Sequence, residues 1–157
     1  MEDNKKVVMV AIEESDCSHY ALKWTLESLC NSISESHLII FTVLPIADYS
    51  YIYASTMGAA PPDLIASVQE NQKKVAVALL EKAKKICADH GVIAAETIVE
   101  SGDPKAVICE AVEKLKVELL VLGSHGRGAL KRAFLGSVSN HCVQNAKCPV
   151  LVVRKPE

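Results

Sequence analysis

Runs of apolar residues rich in Val and Ile, VVMVAI (7–12), LIIFTVL (38–44), ELLVL (118–122) and PVLVVR (149–154), alternate with longer stretches of helical periodicity. An apolar run without polar alternation is expected of a strand covered on both faces. Strands that alternate with helices from end to end, with no repeat and no linker, point to a doubly wound parallel α/β sheet. The 157 residues, half of them hydrophobic, suffice for one such domain over 1–157 with a sizeable core.

The connecting segments carry their own signals. After the first strand, Ser15, Asp16 and Ser18 offer N-caps, and Leu22, Thr25, Leu26 and Leu29 recur at helical spacing. From Asp63, residues Leu64, Val68, Val75, Leu79, Ala83 and Ile86 predict a long amphipathic helix to about His90, ended by Gly91. AAETIVES (94–101) reads as the third of five strands. Asp103 then caps a helix with Pro104 in its first turn, and Val107, Ile108, Ala111, Val112 and Leu115 form its buried stripe. A shorter helix is expected from about Ser137 to Asn145. Residues 45–61, with three of the four tyrosines, have no clear periodicity and read either as a lid or as a plain exposed loop.

Charge narrows the function classes. Between Leu119 and Pro156 there are six Lys or Arg and no acid, leaving 11 cations and 19 acids elsewhere. Such a basic block inside an acidic chain suits a small anion better than a long polyanion. Aromatic residues at 4% argue against base-stacking on single-stranded nucleic acid, so no nucleic-acid partner is expected. The six cysteines form no CxxC pair and no secretory segment precedes them, as in a cytoplasmic protein with reduced thiols. No metal site is expected, since His141 and Cys142 are adjacent on a helix and point about 100° apart. No apolar run approaches the roughly 18 residues of a membrane span.

The segment GSHGRGALKRAFLGS (123–137) follows the fourth strand and holds four of the seven glycines. A strand turning sharply into a helix exposes unpaired backbone N–H groups, and glycines let a ligand approach them. The helix beginning near Ser137 adds its N-terminal amides and partial positive charge, with the Ser137 and Ser139 hydroxyls as further donors. A phosphate is the natural guest. The segment is not a Walker A loop, because Ala129 and Leu130 follow Gly123-x4-Gly128. Nor is it a dinucleotide fingerprint, because Lys131 stands where the third glycine belongs.

Gly123-x2-Gly126-x9-Gly136-Ser137 resembles the nucleotide motif of the universal stress protein family, as do LLVLGSHGRG, the terminal CPVLVVR and VAIEES at the end of strand one. The resemblance implies a Rossmann-like sheet of the adenine nucleotide alpha hydrolase type, in strand order 3-2-1-4-5. It also implies an adenine nucleotide ligand: ATP, or ADP or AMP, with Mg²⁺ able to accompany the phosphates. By that resemblance Gly123 and Gly126 approach the ribose and phosphates, Gly136, Ser137, Val138 and Ser139 cradle the phosphate chain, and Ala11, Ile12 and Val43 border the adenine. Glu13 stands where the family usually has Asp, on the ribose side. His125 and Arg127 are expected to point outward, with Arg127 tuning the field at the phosphates.

Three function classes follow. The first is a nucleotide-binding sensor or regulatory module with at most slow hydrolysis, since no general base, nucleophile motif or catalytic residue is evident. The second is a receiver-like phosphorylation switch, suggested by Glu13-Glu14 and Lys155; it lacks an acceptor aspartate, because strand three closes on Glu100-Ser101-Gly102. The third is a nucleotide-free scaffold that pairs through the apolar PVLVV strand as an exposed edge. The family resemblance also implies a homodimer through this strand, which is compatible with the first class.

Overall fold

The computed structural model describes residues 4–44, 57, 62–125 and 135–156. Five strands, β1 (Lys6–Ala11), β2 (Ser36–Leu44), β3 (Glu96–Ser101), β4 (Leu119–Gly123) and β5 (Val150–Val153), form one parallel sheet in the order β3-β2-β1-β4-β5. The helices are α1 (Asp16–Ser28), α2 (Cys30–Ser34), α3 (Pro62–Asp89), α4 (Pro104–Lys114) and α5 (Ser137–Asn145).

The alternation of side chains along β1 explains why its apolar run is continuous. Val8, Val10 and Ile12 face a cluster that includes Leu22 and Leu26 of α1, Ile33 of α2, and Leu80 and Ala83 of α3. Met9 and Ala11 face the opposite cluster, with Val107, Ile108 and Ala111 of α4 and Cys142 of α5. Phe41, Met9 and Leu22 are among the largest fully buried side chains, each stabilising the fold by about 1.5–3 kcal/mol. The sheet is therefore covered on both faces, α1 to α3 on one and α4 and α5 on the other.

Local chemistry sets the helix ends. Ser15 caps α1, its Oγ accepting from the Ser18 amide at 3.1 Å. Gly91, at φ 83°, closes α3, with the Val92 amide donating to Cys87 O at 2.8 Å and the Gly91 amide to Ala88 O at 2.9 Å. Asp103 accepts from the Lys105 amide at 3.3 Å, and Pro104 opens α4. Two features were not legible in the sequence. The first helix breaks at Leu29 into the separate short α2, and the turn after α4 places Lys116 in the left-handed region, at φ 54°.

Among the described residues, no helix is long and apolar enough to cross a membrane. The 45–61 segment, apart from Met57, lies outside the described residues.

Candidate functional site

The chain runs outward from β1 to β2 and β3 on one side, then returns to lay β4 and β5 on the other. The strand order thus reverses between β1 and β4, where the loops leaving their carboxyl ends diverge and open a crevice. A cavity of about 390 Å³ occupies that position, with Ala11, Ile12 and Glu13 from the end of β1 and Leu122 and Gly123 from the end of β4 in its lining. That volume falls in the range of small-molecule sites.

Backbone bonds pin the β1 side. Ile12 extends the sheet ladder, its amide donating to Phe41 O at 2.8 Å, while the buried Thr42 hydroxyl donates to Ile12 O at 2.8 Å. The Glu13 amide donates to Ser18 Oγ at 3.1 Å, and Ser18 itself joins the lining from the first turn of α1. Glu13 is exposed and lines the cavity.

On the β4 side, Gly123 owes its identity to the fold. A Cβ placed there would lie 2.9 Å from both the carbonyl carbon and oxygen of Cys17, and 3.1 Å from the Ser18 amide nitrogen. These are backbone atoms at the start of α1, so only glycine lets β4 approach this closely. Ser124 follows, buried, with its amide donating to Val153 O at 3.1 Å and its carbonyl accepting from the Gly136 amide at 2.6 Å. The same carbonyl accepts from the Ser139 hydroxyl at 2.9 Å.

The third wall is α5. Gly136 is its N-cap, and the ladder opens with the Asn140 amide donating to Gly136 O at 2.9 Å. The amides of Ser137, Val138 and Ser139 belong to the first turn, which has no intrahelical acceptors, and all three residues line the cavity. Pro104 and Ile108 of α4 add apolar lining. The lining therefore combines apolar residues, Ala11, Ile12, Pro104, Ile108 and Leu122, with the polar residues Glu13, His125 and Ser137 and the positive end of a helix.

The residues expected from the sequence divide clearly. Ala11, Ile12, Glu13, Gly123, Gly136, Ser137, Val138 and Ser139 are brought together. Val43 is not in the lining: it packs half-buried on the same face, but one strand farther out, paired with Glu100 of β3. Gly126 and Arg127 lie outside the described residues. The Ser139 hydroxyl, expected to donate to a phosphate, is buried and lies within bonding distance of the Ser124 and Gly136 carbonyls, leaving the backbone amide as this residue's donor to the cavity. His125, expected to point outward, is half-buried and lines the cavity. Ser18, Pro104, Ile108 and Leu122 were not anticipated as lining residues, because the sequence shows them only as cap, helix and strand positions. No group of three or more His, Cys, Asp or Glu able to hold a metal ion occurs among the described residues.

Residues 5–154 match the universal stress protein family. Among curated relatives, a universal stress protein A-like protein of Arabidopsis thaliana is 32% identical, covering 94% of this chain and 89% of its own. Universal stress protein YxiE of Bacillus subtilis is also 32% identical, over 94% and 97%. Among solved structures, a universal stress protein family protein from Arabidopsis thaliana with AMP bound superposes with a TM-score of 0.69 at 27% identity, covering 96% of this chain and 92% of that one. UspA from Lactobacillus plantarum shares the fold with a TM-score of 0.76 at 20% identity, over 95% and 97%. A match over nearly the whole chain, together with the sheet order and the glycine-bearing return into α5, establishes that this chain belongs to the universal stress protein family.

Proposed function

We propose that the protein binds an adenine nucleotide, ATP or its di- or monophosphate, in the cavity between β1 and β4 and acts as a nucleotide-dependent sensor or regulatory module in a stress response. The observation that carries this reading is the mixed lining of the cavity, which brings apolar residues of β1, β4 and α4 together with the first turn of α5. The pocket has the chemistry for a flat base, and the helix N-terminus has the chemistry for phosphate oxygens. The AMP-bound family member from Arabidopsis supports the choice of an adenine nucleotide. A charge-assisted hydrogen bond contributes about 1.5–3 kcal/mol net, so three amides cover a large part of the roughly 8 kcal/mol of a micromolar complex. Mg²⁺ would travel with the phosphates.

Hydrolysis is at most slow on this reading. It requires an oriented water and neutralisation of charge on the transferred group, and Glu13 and His125 are the titratable side chains among the described lining residues.

The test is equilibrium titration of ATP, AMP and adenosine into wild type and Ser137→Asp. The new carboxylate sits on the exposed first residue of α5, where it favours the helix dipole and so preserves folding, while occupying the amides and repelling phosphate. ATP and AMP affinity should fall at least about tenfold, equivalent to about 1.4 kcal/mol, with adenosine little changed. Equal loss for all three ligands, or no binding by wild type, would overturn the reading.

A second observation favours self-association. Among the described residues β5 is an edge strand that pairs with β4 alone, and Val150, Leu151 and Val152 remain half-exposed. Such an edge offers a row of backbone groups to another copy, and we assign a homodimer to it. A monomeric mass by light scattering at micromolar concentration would contradict this assignment. A stable dimer that binds no nucleotide would favour the scaffold instead.

A further inference from the structure

Three cysteines that are distant in sequence pack on one cluster under the α4 and α5 face: Cys109 from α4, Cys142 from α5 and Cys148 from the turn into β5. Cys142 is fully buried, whereas Cys109 and Cys148 are half-buried. All three are free thiols. Nothing in their spacing announces this meeting; the packing of α4 against α5 creates it. We propose that Cys109 is a peroxide-sensitive thiol whose oxidation closes a disulfide onto Cys142, tying together the two helices that wall the cavity.

The environment sorts the sulfurs into roles. Burial, followed by the charge and hydrogen bonding of Cys109, pushes the Cys142 thiol up to about 12. Cys142 therefore keeps its proton, and its sulfur lies within hydrogen-bonding reach of Cys109, the half-buried partner open to peroxide. Burial also raises Cys148, so it is not the first sulfur to react. Cys87 lies in the cluster on the other side of the sheet and cannot compete.

The chemistry balances with a peroxide as the oxidant. The Cys109 thiolate attacks one peroxide oxygen, the O–O bond breaks, and hydroxide leaves and is protonated to water, producing a sulfenic acid. The Cys142 sulfur then attacks Cys109 Sγ, the S–O bond breaks as the S–S bond forms, and the Cys142 proton leaves with the departing hydroxide as a second water. Two thiols and one hydrogen peroxide thus yield one disulfide and two waters.

The test treats the full chain, without nucleotide, with hydrogen peroxide under native conditions. Remaining thiols are blocked, and the protein is digested without reductant and mapped by mass spectrometry. The expected product joins the peptides carrying Cys109 and Cys142, lighter by two hydrogens than its reduced halves, and is separated by dithiothreitol. Cys109→Ser should lose this product, and Cys148→Ser should retain it. Cys142→Ser should halt Cys109 at a dimedone-reactive sulfenic acid; should that variant not fold, the two half-buried positions still decide the matter. A wild-type map in which Cys109 stays reduced, or pairs with Cys148 or with Cys30 of another copy, overturns the proposal. Because no nucleotide is present, this outcome is independent of the binding reading.

Discussion

The Ser139 hydroxyl lies 2.9 Å from the carbonyl oxygen of Ser124, which also accepts the Gly136 amide at 2.6 Å. One buried carbonyl therefore holds the chain leaving β4 against the chain entering α5, while the Ser124 amide ties the same residue to Val153 of the edge strand at 3.1 Å. Ser139→Ala removes one of the two donors to that carbonyl. Urea unfolding should show a loss of about 1 kcal/mol, since the Gly136 amide still satisfies the oxygen. Nucleotide affinity should fall less than in Ser137→Asp, because the Ser139 amide remains.

Gly123→Ala tests whether that glycine serves the fold or a ligand. Its Cβ would sit 2.9 Å from backbone atoms of Cys17, which cannot rotate away. Overpacking of this kind costs about 1–3 kcal/mol. The lowered denaturation midpoint should be present without nucleotide; unchanged stability with lost binding would show that the glycine instead serves a ligand.

Lys116→Gly should stabilise the protein. Lys116 is exposed and left-handed at φ 54°, with its amide donating to Glu113 O at 3.3 Å and the Val117 amide donating to Val112 O at 2.9 Å. A residue with a Cβ pays about 1 kcal/mol there, whereas glycine does not. Allowing for the greater freedom of glycine in the unfolded chain, a gain of about 0.5 kcal/mol and a rise in Tm of one or two degrees are expected by calorimetry.

His19 gives folding stability a pH dependence. Its Nδ1 is buried without a hydrogen-bond partner, and burial, with the Lys82 charge next, lowers its pKa below the ordinary 6.5. Lys23 acts in the same sense, while Asp16 and Glu14 oppose it. The unfolded state then binds the proton more readily, so this contribution is complete above the unfolded pKa and is lost as pH falls below about 6.5. His90 works in the opposite sense: the Ile86 carbonyl first, then Glu27, raise its pKa, so its contribution is present at low pH and lost as pH rises. Replacing His19 with Gln should flatten the decline in unfolding free energy between about pH 7 and 5. An identical slope in the variant would show that His19 does not carry it.

The local sequence specified the elements and their covering. Continuous apolar runs implied strands buried on both faces, and Ser15, Gly91, Asp103 and Pro104 marked helix ends because capping depends on residues only a few positions apart. Most of the candidate cavity was also legible, since Ala11 to Glu13 end one strand while Gly123 and Gly136 bracket the return from another. Strand order was available from the resemblance of the long glycine motif, not from periodicity. Tertiary packing decided that Gly123 faces the backbone of α1, that Ser139 turns its hydroxyl to Ser124, that His125 joins the cavity lining, and that Val43 stands one strand farther out. It also brought Cys109 within hydrogen-bonding reach of Cys142. Each of these depends on a contact between distant segments, and a periodic pattern records which face a residue takes without recording what will meet it there.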